Sequence, residues 1–292
     1  MAVSGGPDSL CLLDVLYLFS QKFGFSLHVA HVNYRLRGND SELDEALVRA
    51  RAKTYGLTLS VLHPKQPHLG NLEEKLRDIR YHFFEKVRRT QKATLIAVAH
   101  HEDDQAETLL LRLLRGSGTT GLSSMRPKQG AIVRPLLEQS REDIIRYLNE
   151  RGLSYRTDQS NNDQTLLRNQ IRHELIPLLA QNYQPNIKSI LAHTATLLAA
   201  DSALIDEITT RYSQVLSRGT GASVAMLLKF PETLLAHMWR NLLKEKTGKF
   251  PSRGIIIEIM KALKSPKMKT QRVLFQGLKI ERKGDTVTLL HF

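Results

Sequence analysis

The 292-residue sequence has one cysteine, one tryptophan, 6% aromatic residues and fewer acids (29) than bases (42). A lone cysteine, Cys11, excludes an intramolecular disulfide framework and any zinc site built from cysteines alone. Its neighbours Leu10, Leu12 and Leu13 make it read as a small buried hydrophobe. No apolar run approaches the ~20 residues that span a bilayer, and no basic leader with an apolar stretch opens the chain. The expectation is a cytoplasmic protein with no membrane role. The shortage of acid is concentrated in one place: between Arg240 and Lys283, thirteen Lys and Arg stand against three acids, Glu245, Glu258 and Glu281. Such a segment suits a polyanion, of which nucleic acid is the usual one, although a solvated basic face would have the same composition.

What is present is enough for real cores, with 41% hydrophobic and 24% charged residues. The pattern predicts strands over 26–32, 58–62 and 94–100 and a short extended piece over 132–134. Helices are predicted over 40–55, 72–89, 103–114 and 141–151. This alternation predicts an α/β domain, a parallel sheet with helices on both faces. From about Pro185 the pattern becomes helices without intervening strands, over 186–215, 231–247 and 253–263. Short antiparallel strands follow over 273–275, 278–282 and 286–291. The expected domains are 1–184 and a smaller, basic, mainly helical 185–292.

The run Ser4-Gly5-Gly6-Pro7-Asp8-Ser9, between a short apolar lead-in and an apolar helix, reads as a phosphate cradle. Its glycines allow a tight turn with inward-facing amides, its hydroxyls add donors, and the following helix presents its positive end to an anion. Asp8 adds a carboxylate that can hold magnesium against bound phosphates. The Gly-Lys-Ser/Thr ending of the common P-loop is absent. Only Met1 to Val3 precede the loop, so the expectation is either that the natural start lies further upstream or that the strand supporting this edge of the site is thin.

The strand 94–99 delivers His100-His101-Glu102-Asp103-Asp104-Gln105-Ala106-Glu107 to a helix start, where Asp104 and Glu107 share a face. Two carboxylates there could bind a metal or grip an ammonium group, or could simply complement the helix dipole. Arg115 to Leu122 is a flexible loop rich in small residues. Arg77 and Arg80 share one helical face. Ser160 to Asp163 are expected to cap a helix that carries Arg168, Asn169 and Arg172.

The loop resembles that of the N-type ATP pyrophosphatases. Together with 31–38, 77–81, 100–107, 115–122, 134–137 and 160–172, in that order, it resembles the tRNA(Ile)-lysidine synthetase family over about residues 1–180. The resemblance is looser from Leu234 to Lys279, and it implies a short form with one C-terminal, tRNA-binding domain. It implies an adenine nucleotide α-hydrolase-like fold, ATP and Mg2+, free L-lysine, and a tRNA(Ile) with a CAU anticodon, with a homodimer left open. By the same resemblance, Ser4, Gly5, Gly6, Pro7, Asp8, Ser9, Val32 and Asn33 bind ATP. Asp8 and Asp104 hold the metal, and Asp104 and Glu107 hold the lysine. Asp8, Asp104, Glu107, His100, Arg80 and Arg172 are the catalytic set, and Arg37, Arg168, Lys264, Lys267, Lys269 and Arg272 contact tRNA. The alternatives are a tRNA 2-thiolation enzyme, which needs cysteines this chain lacks, a metal-dependent phosphoester hydrolase built on the His-His-Glu-Asp-Asp cluster, and a non-catalytic tRNA-binding module.

Overall fold

Proline at the first helical position and Asp8 in the first turn start α1 (Pro7–Phe23), which ends at Gly24 in the left-handed conformation. The computed structural model describes all residues except 66–71, 157–166, 218–220, 267–268 and 292. The predicted cap at Ser160 to Asp163 and the basic residue Lys267 lie outside the described residues. The chain forms two compact units, Met1–Ala199 and Ala200–Phe292.

In the first unit β1 (His28–Val32) and β2 (Thr58–Leu62) pair in parallel, connected by α2 (Asn39–Thr54). After α3 (Leu72–Thr90), β3 (Ile96–Ala97) pairs in parallel with β5 (Ile132–Val133), and β4 (Lys128–Gln129) adds an antiparallel edge to β5. Met1 to Val3 join these two pieces. The Val3 amide donates to Ala30 O at 3.0 Å and the Ala30 amide to Met1 O at 2.8 Å, while the Ala2 amide donates to Ala97 O at 2.9 Å. The lead-in expected to be thin is thus bonded on both sides, in the middle of the sheet, directly before the loop. Val29 and Ala30 are adjacent in β1 but pack into different cores, one with Leu12, Leu13, Val48 and Leu148, the other with Phe83, Phe84 and Val98. Alternate strand residues face opposite sides, so helices cover both faces of the sheet, as the sequence predicts.

The remaining helices of this unit are α4 (Glu102–Leu114), α5 (Thr119–Leu122), α6 (Arg141–Glu150), α7 (Leu167–Gln170) and α8 (Ile176–Asn182), with a π-helical turn, Ile171–Leu175, between the last two. The segment 115–122, expected to be a flexible loop, contains α5. Arg112 Nη1 holds it by donating to Gly121 O at 2.6 Å and Ser124 O at 3.1 Å. Helix α9 (Ile187–Ser217) follows.

In the second unit α11 (Glu232–Thr247) and α12 (Arg253–Lys264) pack around the buried Trp239, Leu242 and Ile259. A four-stranded antiparallel sheet adds Val273, Ile280 and Val287 to this core, in the order β6 (Ala222–Ser223), β9 (Thr286–His291), β8 (Leu278–Lys283), β7 (Gln271–Phe275). Strand β6, which leads into α10 (Val224–Leu227), corrects the expectation of helices without strands before 273. At two residues it is too short to leave an alternating pattern, and it is fixed by pairing with Thr286 and Val287.

Candidate active site

The loop is closed by its own hydrogen bonds. Ser9 Oγ accepts from the amides of Ser4 at 3.1 Å and Gly5 at 3.2 Å and donates to Gly6 O at 3.0 Å. The Gly6 amide donates to Ser4 Oγ at 3.4 Å, so the two hydroxyls close the loop against the N-terminus of α1, whose positive end suits an anion. Gly5 has φ +96°, and a Cβ there would stand 3.3 Å from Asp44 O, so only glycine suits it. Asp44 on α2 is in turn held by Arg37 Nη2 at 2.7 Å and Arg156 Nε at 2.8 Å.

A cleft of about 590 Å³ opens beside the loop, at the carboxyl ends of the strands, a volume suited to a nucleotide. Of the residues singled out in the sequence, Ser4, Asp8, Ser9, Val32, Asn33, Arg37, Arg80 and His100 line it, joined by Tyr81. Gly5, Gly6 and Pro7 complete the loop. Asn33 is positioned by Glu45, whose Oε2 accepts from Asn33 Nδ2 at 2.9 Å and faces His63 Nε2 at 2.7 Å, while Oε1 accepts from Arg49 Nε at 2.8 Å. Burial would raise the Glu45 carboxyl, but these three hydrogen bonds outweigh it and hold its pKa at about 2.

Asp8, from α1, and Asp104, from the first turn of α4, converge on one imidazole. His101 Nε2 lies 3.8 Å from Asp8 Oδ1 and 3.7 Å from Asp104 Oδ2. Burial alone would lower the His101 pKa, but Asp103, Asp104 and Asp8 together raise it. The site therefore has a negative potential that favours a cation. Two carboxylates completed by substrate phosphate oxygens are the hard-oxygen set magnesium takes, so the residues fit that ion. Among the described residues no three His, Cys, Asp or Glu side chains are arranged to hold a metal by themselves. The neighbouring His100 lies near enough to Asp104 to feel its charge but hydrogen-bonds elsewhere. Its Nδ1 accepts from Arg134 Nε at 3.3 Å, and burial brings its pKa down to about 4.

Glu107 is 1% exposed, and both its oxygens meet arginines. Arg172 Nε donates to Oε1 at 2.5 Å, and Arg168 Nε and Arg172 Nη2 donate to Oε2 at 2.9 and 3.0 Å. Arg168 Nη2 reaches on to Asp104 Oδ1 at 3.1 Å. In the second unit Lys264 pairs with Glu232 at 2.6 Å, Arg272 pairs with Glu281 at 2.7 Å, and Lys269 is exposed.

Sequence reasoning missed three features. Arg141, at the start of α6, contacts Asp8. Asp14, 1% exposed, accepts from Tyr55 Oη at 2.5 Å, Tyr147 Oη at 2.6 Å and Arg151 Nε at 3.1 Å, tying α1 to α2 and α6. Arg134 is 5% exposed. An acid inside the apolar run Leu10 to Leu16 was the available signal for Asp14, whereas nothing local marks Arg141.

The model of the PP-loop domain family matches residues 1–179. The chain is 43% identical to a tRNA(Ile)-lysidine synthase of Geobacter sulfurreducens, over 85% of this chain and 55% of that protein. It is 41% identical to one of Bacteroides thetaiotaomicron, over 72% of this chain and 50% of that protein. It thus spans about half the length of the curated relatives it matches. Among solved structures it is similar to the U34-tRNA thiolase NcsA from Methanococcus maripaludis, with a TM-score of 0.56, 19% identity, and coverage of 68% of this chain and 70% of that one. At that identity the likeness shows the fold alone.

Proposed function

We propose, from the premise that this chain belongs to the PP-loop domain family, that it joins lysine to the 2-position of the wobble cytidine of a tRNA(Ile) with a CAU anticodon. The single observation that carries this reading is the convergence of Asp8, beside the phosphate loop, and Asp104 on the same nitrogen of His101. The relatives' names supply the class of substrate. The cytosine 2-oxygen is a poor leaving group, so it first attacks the α-phosphorus of ATP, and the bond to pyrophosphate breaks. The lysine ε-amine then attacks carbon 2, and AMP departs with the oxygen.

Each step has a group in this chain to serve it. The positive N-terminal end of α1, which the loop leads into at Pro7, stabilises the departing pyrophosphate. Asp8 and Asp104 would hold magnesium, which neutralises phosphate charge when bound. Asp104 also offers the negative charge that draws the lysine ammonium into place. Glu107 acts through the two guanidiniums it orders, Arg168 and Arg172. Arg80, exposed at the cleft, meets the charge of the adenylate. His100, whose Nδ1 lone pair is taken by Arg134, carries its proton on Nε2 and can donate a hydrogen bond to an anionic group in the cleft. The basic face of the second unit would grip the tRNA backbone.

Sulfur transfer is the rival that shares this adenylation. It needs a reactive thiolate, and the only cysteine, Cys11, is buried, with its thiol pushed up to about 11 by burial and by Asp8 and Asp14. With ATP and Mg2+, pyrophosphate release should require a tRNA bearing the CAU anticodon. Equal release with a tRNA of another anticodon would refute the assignment.

A further inference from the structure

The arginines of the first unit differ in whether they face an acid. Arg37, Arg141, Arg151, Arg156, Arg168 and Arg172 each hold a carboxylate. Arg77, Arg80, Arg112 and Arg134 hold none among the described residues, and these four are neighbours. The guanidiniums of Arg77 and Arg80 lie 5.6 and 6.0 Å from the centroid of the Tyr81 ring. The Tyr81 ring thus gathers two cations, and its phenol lies close enough to Arg134 to act on its charge. Arg134 Nη1 donates to Arg126 O at 2.7 Å, and its Nε goes to His100. Arg112 likewise meets only carbonyl oxygens.

Arg134 is 5% exposed. Burying a guanidinium without a counter-charge is costly, and carbonyl dipoles repay only part of that cost. Both Arg112 and Arg134 are depressed below the usual arginine range, first by burial, with the charge of Arg77 adding to it. A fold that keeps four like charges together, with no acid paired to them among the described residues, is suited to an anion from outside. Arg80, Tyr81 and His100 line the cleft, and Arg77 is exposed, so the cluster opens to a ligand.

We infer that Arg77, with the charges of Arg112 and Arg134 behind it, forms beside Arg80 a second anion site, which takes a backbone phosphate of the single-stranded RNA beside the target base. The inference rests on the tRNA reading above and adds a subsite to it. ATP carries the same phosphoryl chemistry, but the Ser4–Ser9 loop and the positive end of α1 behind it already offer its phosphates a place. RNA backbone is also the ligand that exposed, unpaired arginines around an aromatic ring fit.

Arg77 is the member to change, because its exposure makes it the least needed for folding. Arg77→Ala, Arg77→Glu and Arg77→Lys are titrated with a CAU tRNA, and separately with ATP, between about 50 and 200 mM salt. Arg77→Ala should weaken tRNA binding about fivefold and lower the salt slope by about 1. Arg77→Glu should weaken it further, Arg77→Lys should restore most of it, and ATP affinity should not move. Unchanged tRNA affinity in Arg77→Glu overturns the site, and so does a loss confined to ATP. A wild-type protein that binds tRNA but adds no lysine sinks the proposed function alone. A wild-type protein that adds lysine, while Arg77→Glu binds tRNA normally, sinks the second anion site alone.

Discussion

The Arg141 guanidinium lies 3.2 Å from both carboxylate oxygens of Asp8. A cation from α6 therefore already occupies the carboxylate that would hold magnesium, and the two must compete for it. The pair is partly exposed, with the Arg141 side chain at 38%, so its strength is at most about 1 kcal/mol. Arg141→Ala should lower the magnesium concentration that half-saturates pyrophosphate release about threefold, within the fivefold that this energy allows. A magnesium titration checks this, and an unchanged midpoint would show that Arg141 and the metal do not share Asp8.

Asp104 carries one oxygen to the His101 amide and the other to Arg168. Asp104→Asn keeps the shape and removes the charge. Lysine incorporation should fall at least about 100-fold, as for loss of a group acting in the transition state, while tRNA affinity stays within twofold (about 0.4 kcal/mol). Equal loss of both in filter binding and incorporation assays would make Asp104 structural.

Removing Glu107 leaves two arginines without their buried counter-charge. Glu107→Ala should cost about 3–5 kcal/mol of stability, read by denaturant unfolding of the first unit. Glu107→Gln, which keeps acceptor capacity, should cost less. A near-neutral Glu107→Ala would mean that the arginines do not depend on it.

Glu45 gives a pH signature. Its carboxyl is held at about 2 in the folded chain against the ordinary 4.5, so the folded state binds its proton less readily than the unfolded one. The stabilisation is present above about pH 4.5 and is lost as pH falls toward 2. Glu45→Gln should destabilise by about 2 kcal/mol at pH 7, with the difference from wild type closing below pH 4. A difference constant from pH 7 to pH 3 would contradict this.

Much of the first unit was legible because its signals are local. The strand 58–62 and the helix starting at Leu72 follow from pattern alone, and Ser4 to Ser9 announces a phosphate turn by residue type. The tertiary relations were not legible. That Met1 to Val3 would bond on both sides depends on β1 and β3 lying apart by one strand width. That Glu107 would meet Arg168 and Arg172 rather than stand open depends on the packing of α4 against the π-helical turn. Arg134 and Arg141 each owe their setting to distant partners, and no spacing rule exposes such pairs. In the basic segment, charge counting identified the excess, but Glu281 collecting Arg272, Lys279 and Lys283 depends on strand register.

Addition of lysine to a tRNA base is read most directly by mass spectrometry of nucleosides released from a CAU tRNA after incubation with the protein, ATP, Mg2+ and isotopically labelled lysine. The expected product is a cytidine-derived nucleoside carrying the lysine label, present only when ATP is supplied. Unlabelled cytidine at that position despite pyrophosphate release, or a sulfur-containing nucleoside in its place, would contradict the proposed function.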